Sequence, residues 1–381
     1  MSAEAGLESR MNFLDHKDLH MSGVAPGKPI HVGLAIDTLT RIWERVLRQS
    51  PISAEDNFFD IGGDSLLAIA LFLEIEKATG RQLPISTIYD APTVASLAAV
   101  LEQATASRFS PLVLLKPGAD DVPPVFIVHG VGGSVMELSQ LGKHIRSRHP
   151  VYGIQARGLD GVDAPKDRVE DMAQIYLDAI KETQPHGPYL LVGNSFGGLV
   201  MLEVAQRLAE RGEKIALLAL LDTYPHPRYW PLKCWLAVLR RRAKHHATAL
   251  RRLPFDGALP YIIRVCRGLM DHLRFRRGAY VRRWAAAADD EDNTIPPSLQ
   301  RVRHSGIVAW AHYRPRYYRG KIIFMRAEVV TRGPDDPNVV WGSLVQNLEV
   351  HTMPGDHLGM STVHAESLAA GLSHCLQKAL G

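Results

Sequence analysis

Residues 189–205 read YLLVGNSFGGLVMLEVA. The stretch opens as a short apolar strand, bends through a glycine-flanked turn and continues at helical spacing. Gly193 and Gly197 leave room for a sharp, strained bend that lifts the Ser195 hydroxyl out at the edge of a sheet. The backbone N–H of Phe196, at the helix start, can then face a developing oxyanion. The pattern GxSxG arises by chance in many chains. A strand directly before it and a helix directly after it make it specific.

Outward from this turn the pattern repeats. PLVLLK, VFIVH, VYGIQA, KIALLALLD, KIIFMRAE and LEVHTM read as further short strands. Helical segments separate most of them, and STVHAESLAAGLSHCLQKAL closes the chain. Near-continuously apolar strands alternating with helices predict a doubly wound, largely parallel sheet. A serine hydroxyl at its ordinary pKa needs a base, and the base needs an orienting acid. With strand, elbow and helix in this order, the acid and then the base follow the serine along the chain. Asp222 ends the strand IALLALL, where it would present a carboxylate at the sheet edge. His357, in TMPGDHLGM, follows the last strand in a Pro/Gly loop. His351 falls within that strand, and His364 and His374 in the closing helix. The second oxyanion donor is expected from HGVGGS, after VFIVH, as the N–H of Val131.

The first hundred residues have a different texture. Residues 1–36 show little periodicity and read as a loose leader. From Asp37, Leu39, Ile42, Trp43, Val46 and Leu47 share one helical face. Helical patterns continue to about 104, and 105–110 reads as a linker before the α/β region at 111–381. Within the helical part, DNFFDIGGDSLL (56–67) puts Ser65 behind two glycines at a helix start. GDSL also begins the motif of another serine hydrolase class. There the serine should follow an apolar strand, and an Asp-x-x-His pair should lie near the C-terminus. Here DNFFDIGG precedes Ser65, and Asp356 and His357 are adjacent, so Ser65 is not read as a nucleophile. Asp64 and Ser65 are both suitable N-caps.

The whole stretch resembles the phosphopantetheine attachment site of carrier proteins from nonribosomal peptide synthetases, over residues 37–104. Ser65 matches the serine that receives the arm, and Asp64 and Leu66 match positions read by the attaching enzyme. Residues 109–381 resemble the type I thioesterase that ends such synthetases, with Ser195, Asp222 and His357 matching its triad. This chain departs from many relatives in having Gly130 where they have proline, Asn194 before the nucleophile, and 135 residues from Asp222 to His357.

The resemblance implies a four-helix all-α bundle followed by an α/β-hydrolase with a helical lid at about 223–316. It implies covalent 4′-phosphopantetheine and an acyl or peptidyl thioester released in nonribosomal peptide or related biosynthesis. Hydrolysis is expected, with cyclisation or transfer to an amine or alcohol as alternatives. The implied partners are a phosphopantetheinyl transferase and adenylating and condensing synthetase modules.

Composition and charge narrow the classes. Three scattered cysteines form no metal-type pair and fit a reducing cytoplasm. The longest apolar run, Ile215 to Leu221, is too short to span a membrane. Residues 223–316 hold 19 basic and 6 acidic residues, a net +13, whereas 37–105 hold 5 and 10, a net −5. RRRAKHHATALRR and RFRRGAYVRRW could suit a nucleic acid or membrane surface, but few aromatics interleave with the charges, so no nucleic-acid partner is expected. WLAVLRRRAKHHATALRRL reads as a helix packing through Trp235, Leu236, Leu239 and Leu250. Arg240 to Arg242 and Arg251 to Arg252 are expected to face outward, where they could attract the acidic helical domain.

Overall fold

A computed structural model of the chain describes residues 32–81, 83–102, 110–250, 263, 295–330 and 333–380. The leader expected over 1–36 therefore lies outside the described residues as far as 31, and the linker as far as 109.

The N-terminal region is helical throughout: α1 (Val32–Leu47), α2 (Ser65–Thr79), the single turn α3 (Thr87–Asp90) and α4 (Val94–Glu102). The first helix begins at Val32, inside the stretch read as leader. Leu39, Ile42, Trp43 and Val46 of α1 are buried on one stripe. They meet Ala68, Leu71, Phe72 and Ile75 of α2 and Val94, Leu97, Ala98 and Leu101 of α4. Phe58, from the loop between α1 and α2, is fully buried and packs edge-on against Trp43, centroids 5.3 Å apart.

The second region is built on a seven-stranded sheet of β1 (Leu112–Lys116), β2 (Val125–Val128), β3 (Val151–Ile154), β4 (Tyr189–Asn194), β5 (Ile215–Leu221), β6 (Tyr318–Ala327) and β7 (Val345–Met353). The strand order is β1-β3-β2-β4-β5-β6-β7; β1 is antiparallel to β3 and the remaining pairs are parallel. Every residue of β2 and β4 is buried. Period-2 alternation sends Phe126, Val128 and Leu191 into one core, beneath α6 (Val169–Thr183) and α7 (Gly197–Glu210). It sends Val125, Ile127, Leu190 and Val192 into the other, beneath α5 (Ser139–His144) and α11 (Ala365–Leu380). Both faces are covered, so both alternating sets must be apolar.

The chain passes from β2 to β3 on one side and crosses back to β4 on the other. The crevice beyond the carboxyl ends of β2 and β4 is thus the topological switch point. α9 (Pro297–His312) passes over it, with Gly306 against Val131 and Phe196, and α8 (Leu232–Leu250) packs through Cys234 and Val238 against Trp230 and Val340. α10 (Asn338–Trp341) precedes β7.

The stretch read as a basic helix does form α8, but its faces differ from expectation. Cys234 and Val238 are buried with Trp230 and Val340, while Leu236 is 46% exposed. Arg241 does not face outward. It bridges to Asp335 and donates to the Gly333 carbonyl at 2.7 Å, because the body of the domain offers it an acceptor pair. Arg240 is exposed. The expectations for Arg251 and Arg252, and for the side chains of Trp235 and Arg242, lie outside what is described.

Candidate active site

The tight turn after β4 fixes the geometry from the backbone up. Ser195 has φ +52, a left-handed conformation unusual for a serine. Its amide donates to the Leu221 carbonyl at 2.9 Å, and its carbonyl accepts from the Thr223 hydroxyl at 2.9 Å. The flanking glycines are sterically required. A Cβ on Gly193 would lie 2.3 Å from the Gly198 Cα, one on Gly197 2.0 Å from the His129 carbonyl oxygen, and one on Gly198 2.0 Å from Thr223 Oγ1. The turn is wedged between the end of β2 and the end of β5, so the serine cannot relax.

Asp222 follows β5 with φ +43, its amide held by the Met325 carbonyl at 2.8 Å. One carboxylate oxygen accepts from the Ala327 amide at 3.4 Å, and the other lies 2.7 Å from His357 Nδ1. His357 comes from the loop after β7, and its Nε2 lies 2.9 Å from Ser195 Oγ. A carboxylate can only accept, so Nδ1 donates and Nε2 is left to accept the serine proton. Three residues far apart in sequence thus form one hydrogen-bonded chain at the switch-point crevice. His351 instead bonds Glu349 on β7, at 2.8 Å. Asp356 accepts from the Gly359 amide at 2.7 Å and so braces the loop that carries His357.

The loop after β2 runs alongside. His129 is buried; its Nδ1 bonds the Gly130 carbonyl and its Nε2 lies 2.6 Å from the Tyr176 hydroxyl. Burial lowers its pKa to about 4, so the ring is neutral. α9 closes over this loop: Gly306 passes against the Val131 carbonyl, and Val302 fills the space beside Gly133. Val131 and Phe196, the expected oxyanion donors, therefore lie on adjoining walls of one crevice.

Sequence reading missed Thr223 and Glu137. The carboxylate of Glu137 accepts from the Gly130 amide. Its burial raises its pKa, outweighing the neighbouring Asn194 side chain, which acts to lower it. A signal was available: Glu137 is the one charged residue in the 3₁₀ turn Val135–Leu138, whose other three residues are buried.

In the helical region, Ser65 is the first residue of α2; its side chain lies outside what is described. The cap is supplied by Asp64, which accepts from the Leu67 amide at 2.9 Å. Gly62 turns at φ +94, and a Cβ on Gly63 would strike the Phe58 ring at 2.4 Å. The helical region also touches the sheet region. Met136 belongs to the same buried cluster as α1, α2 and α4, and Lys143 Nζ sits 4.7 Å from the centre of the Phe59 ring.

A family model for the phosphopantetheine attachment site matches residues 37–101, and one for the thioesterase domain matches residues 123–235. The chain is a phosphopantetheine-binding carrier domain followed by a thioesterase domain. This carrier–thioesterase chain is 31% identical over 300 residues to a dimodular nonribosomal peptide synthase of Bacillus subtilis (strain 168), covering 77% of this chain and 12% of that protein. It is 36% identical over 202 residues to an indigoidine synthase of Dickeya dadantii (strain 3937), covering 53% of this chain and 13% of that protein. The chain thus spans about an eighth of the length of these relatives. In fold it is similar to a holo four-domain nonribosomal peptide synthetase, AB3403, crystallised with AMP and glycine. That structure aligns with 95% of this chain and 27% of its own, at 23% identity and TM-score 0.53.

The carrier is the kind of domain to which 4′-phosphopantetheine is joined covalently. The local structure fits such a group. Asp64 accepts from the Leu67 amide, and the first turn of α2 offers backbone N–H groups suited to a phosphodiester. Among the described residues, no cluster of His, Cys, Asp or Glu could hold a metal ion, and no helix is long and apolar enough to cross a membrane.

Proposed function

We propose that the thioesterase domain releases an acyl or peptidyl chain from the carrier through an acyl-enzyme on Ser195, ending in hydrolysis. The observation that carries this reading is the hydrogen-bonded chain Ser195–His357–Asp222 on a strained elbow. Ser65 would hold the phosphopantetheine, which supplies a thiol able to carry the chain as a thioester.

The chemistry of the site's own residues follows. His357 Nε2 takes the Ser195 proton as Oγ bonds to the thioester carbonyl carbon. The N–H groups of Val131 and Phe196 stabilise the oxyanion that develops. Asp222 holds the ring tautomer and stabilises the imidazolium. Collapse breaks the C–S bond, and His357 returns the proton to the departing thiolate. Water then repeats the sequence: His357 removes its proton, the acid leaves, and Ser195 Oγ regains hydrogen. Water as acceptor is supported by the polarity of the lid, with its 19 basic and 6 acidic residues.

The likeness to nonribosomal peptide synthases supports a place in nonribosomal peptide biosynthesis. A phosphopantetheinyl transferase would load Ser65, and adenylating and condensing modules would supply the chain. Incubation with coenzyme A and such a transferase tests the attachment: one arm should be added, and Ser65→Ala should take up none. Release in ¹⁸O-labelled water tests the acceptor. Label in the product carboxyl supports hydrolysis, and its absence would favour an intramolecular, amine or alcohol acceptor.

A further inference from the structure

Two of the departures from the thioesterase pattern, Gly130 and Asn194, touch the same side chain. The Gly130 amide donates to the Glu137 carboxylate, and the Asn194 side chain lies beside that carboxyl and acts to lower the pKa that burial raises. Proline at 130 would have no N–H to give. A Cβ there would lie 2.7 Å from Glu137 Oε1, so the position accepts neither proline nor alanine without displacing the carboxylate.

The geometry points to Glu137 as a positioning residue that sets the spacing between the two oxyanion donors. This inference rests on the acyl-enzyme reading above. Gly130 stands one residue before Val131, and Asn194 two residues before Phe196. The Glu137 carboxylate therefore bonds the loop after β2 while lying beside the elbow after β4. The next peptide is fixed too. The Gly130 carbonyl accepts from the His129 ring and from the Gly133 amide at 3.2 Å. Because the peptide is planar and trans, a carbonyl held on that side turns the Val131 N–H to the opposite side. Glu137 fixes one peptide plane and His129 the following one. The partly buried site supports the assignment: desolvation of the carboxyl, which raises its pKa, strengthens each hydrogen bond it makes.

The test uses the full chain and a short acyl N-acetylcysteamine thioester. Glu137→Leu should lower kcat by about a hundredfold, the scale of one lost oxyanion donor, with KM changed less than threefold. Its affinity for a trifluoromethyl ketone, which forms a tetrahedral oxyanion on a serine, should fall by a similar factor. Glu137→Gln keeps an acceptor for Gly130 and should recover kcat to within about fivefold of wild type. A merely structural role would move thermal stability and leave the ketone affinity of folded protein unchanged. Should Glu137→Leu not fold, Gly130→Ala probes the same contact from the other side, with at least a tenfold loss of kcat expected. An active Ser195→Ala would sink the nucleophile reading itself. An inactive Ser195→Ala beside an undiminished Glu137→Leu, or an undiminished Gly130→Ala, would overturn this inference alone.

Discussion

Ser65 and Ser195 both follow a glycine-bearing turn and both stand at the start of a helix, yet the chain treats them differently. Ser65 is itself the first residue of α2, with helical backbone, preceded by a loop that turns at Gly62. Ser195 belongs to neither β4 nor α7; it is the left-handed hinge between them, locked from three sides. The glycines differ in part. Before Ser65, Gly62 faces open space and Gly63 is crowded by Phe58, whereas Gly193, Gly197 and Gly198 around Ser195 all have atoms where a Cβ would be. A residue that only bears a group needs access. On the proposed mechanism Ser195 must be held at a fixed distance from its base, and the packing around it supplies that constraint.

The comparison is broken most severely by exchanging the roles of the serines. Ser195→Ala should leave loading of Ser65 intact and lower release by about 10⁴-fold or more, read as acylated carrier accumulating in a mass spectrum. Ser65→Ala should do the reverse, abolishing loading while sparing hydrolysis of a small free thioester. Asp222→Ala should cost one to two orders of magnitude less than Ser195→Ala, because it orients the base without reacting.

Substituting the glycines sharpens the contrast at the level of stability. Gly197→Ala drives a methyl into the His129 carbonyl and should lower Tm by more than any alanine in the Ser65 turn. Gly62→Ala meets no atom and should cost roughly 1–2 kcal/mol, the strain of its positive φ alone.

His129 gives a pH-dependent effect confined to the thioesterase. Its pKa falls from 6.5 to about 4 on folding, so the unfolded chain binds a proton that the folded one does not. Stability from this source is complete above about pH 6.5, falls as pH drops towards 4, and is constant below. The loss should reach about 3 kcal/mol at most. Urea denaturation at pH 7.5 and 5 would measure it, and His129→Gln should flatten that part of the slope.

The smallest effect concerns the seat between the domains. The carrier rests against Met136 and Lys143, and of the α8 arginines Arg241 is committed to Asp335. Lys143→Ala should weaken recognition of a separated carrier by about 1 kcal/mol or less, read as a few-fold rise in KM. Arg240→Glu should change it less.

The fold was legible in the sequence because its determinants are local. Continuous apolar runs such as VFIV and YLLV need a sheet buried on both faces, and the 3.6-residue stripe of α1 needs a helical partner. Glycines at 193 and 197 announced a sharp turn. Asp222 and His357 could be nominated from their places after strands.

Their meeting is another matter. Contact across 135 residues depends on how β5, β6 and β7 stack, and no periodicity encodes a distance of 2.7 Å. Glu137 stayed hidden for the same reason: its partners, Gly130 and Asn194, come from different strand ends brought together only at the switch point. The α8 arginines show the converse limit, since composition gave their charge but not the acceptor that turns Arg241 inward. Sequence alone determined which segments become strands and helices and where the backbone must bend, because adjacent residues impose those choices on one another. Only tertiary structure decided which side chains face each other, because that follows from packing whole elements, and one residue's partner is set by the placement of all the rest.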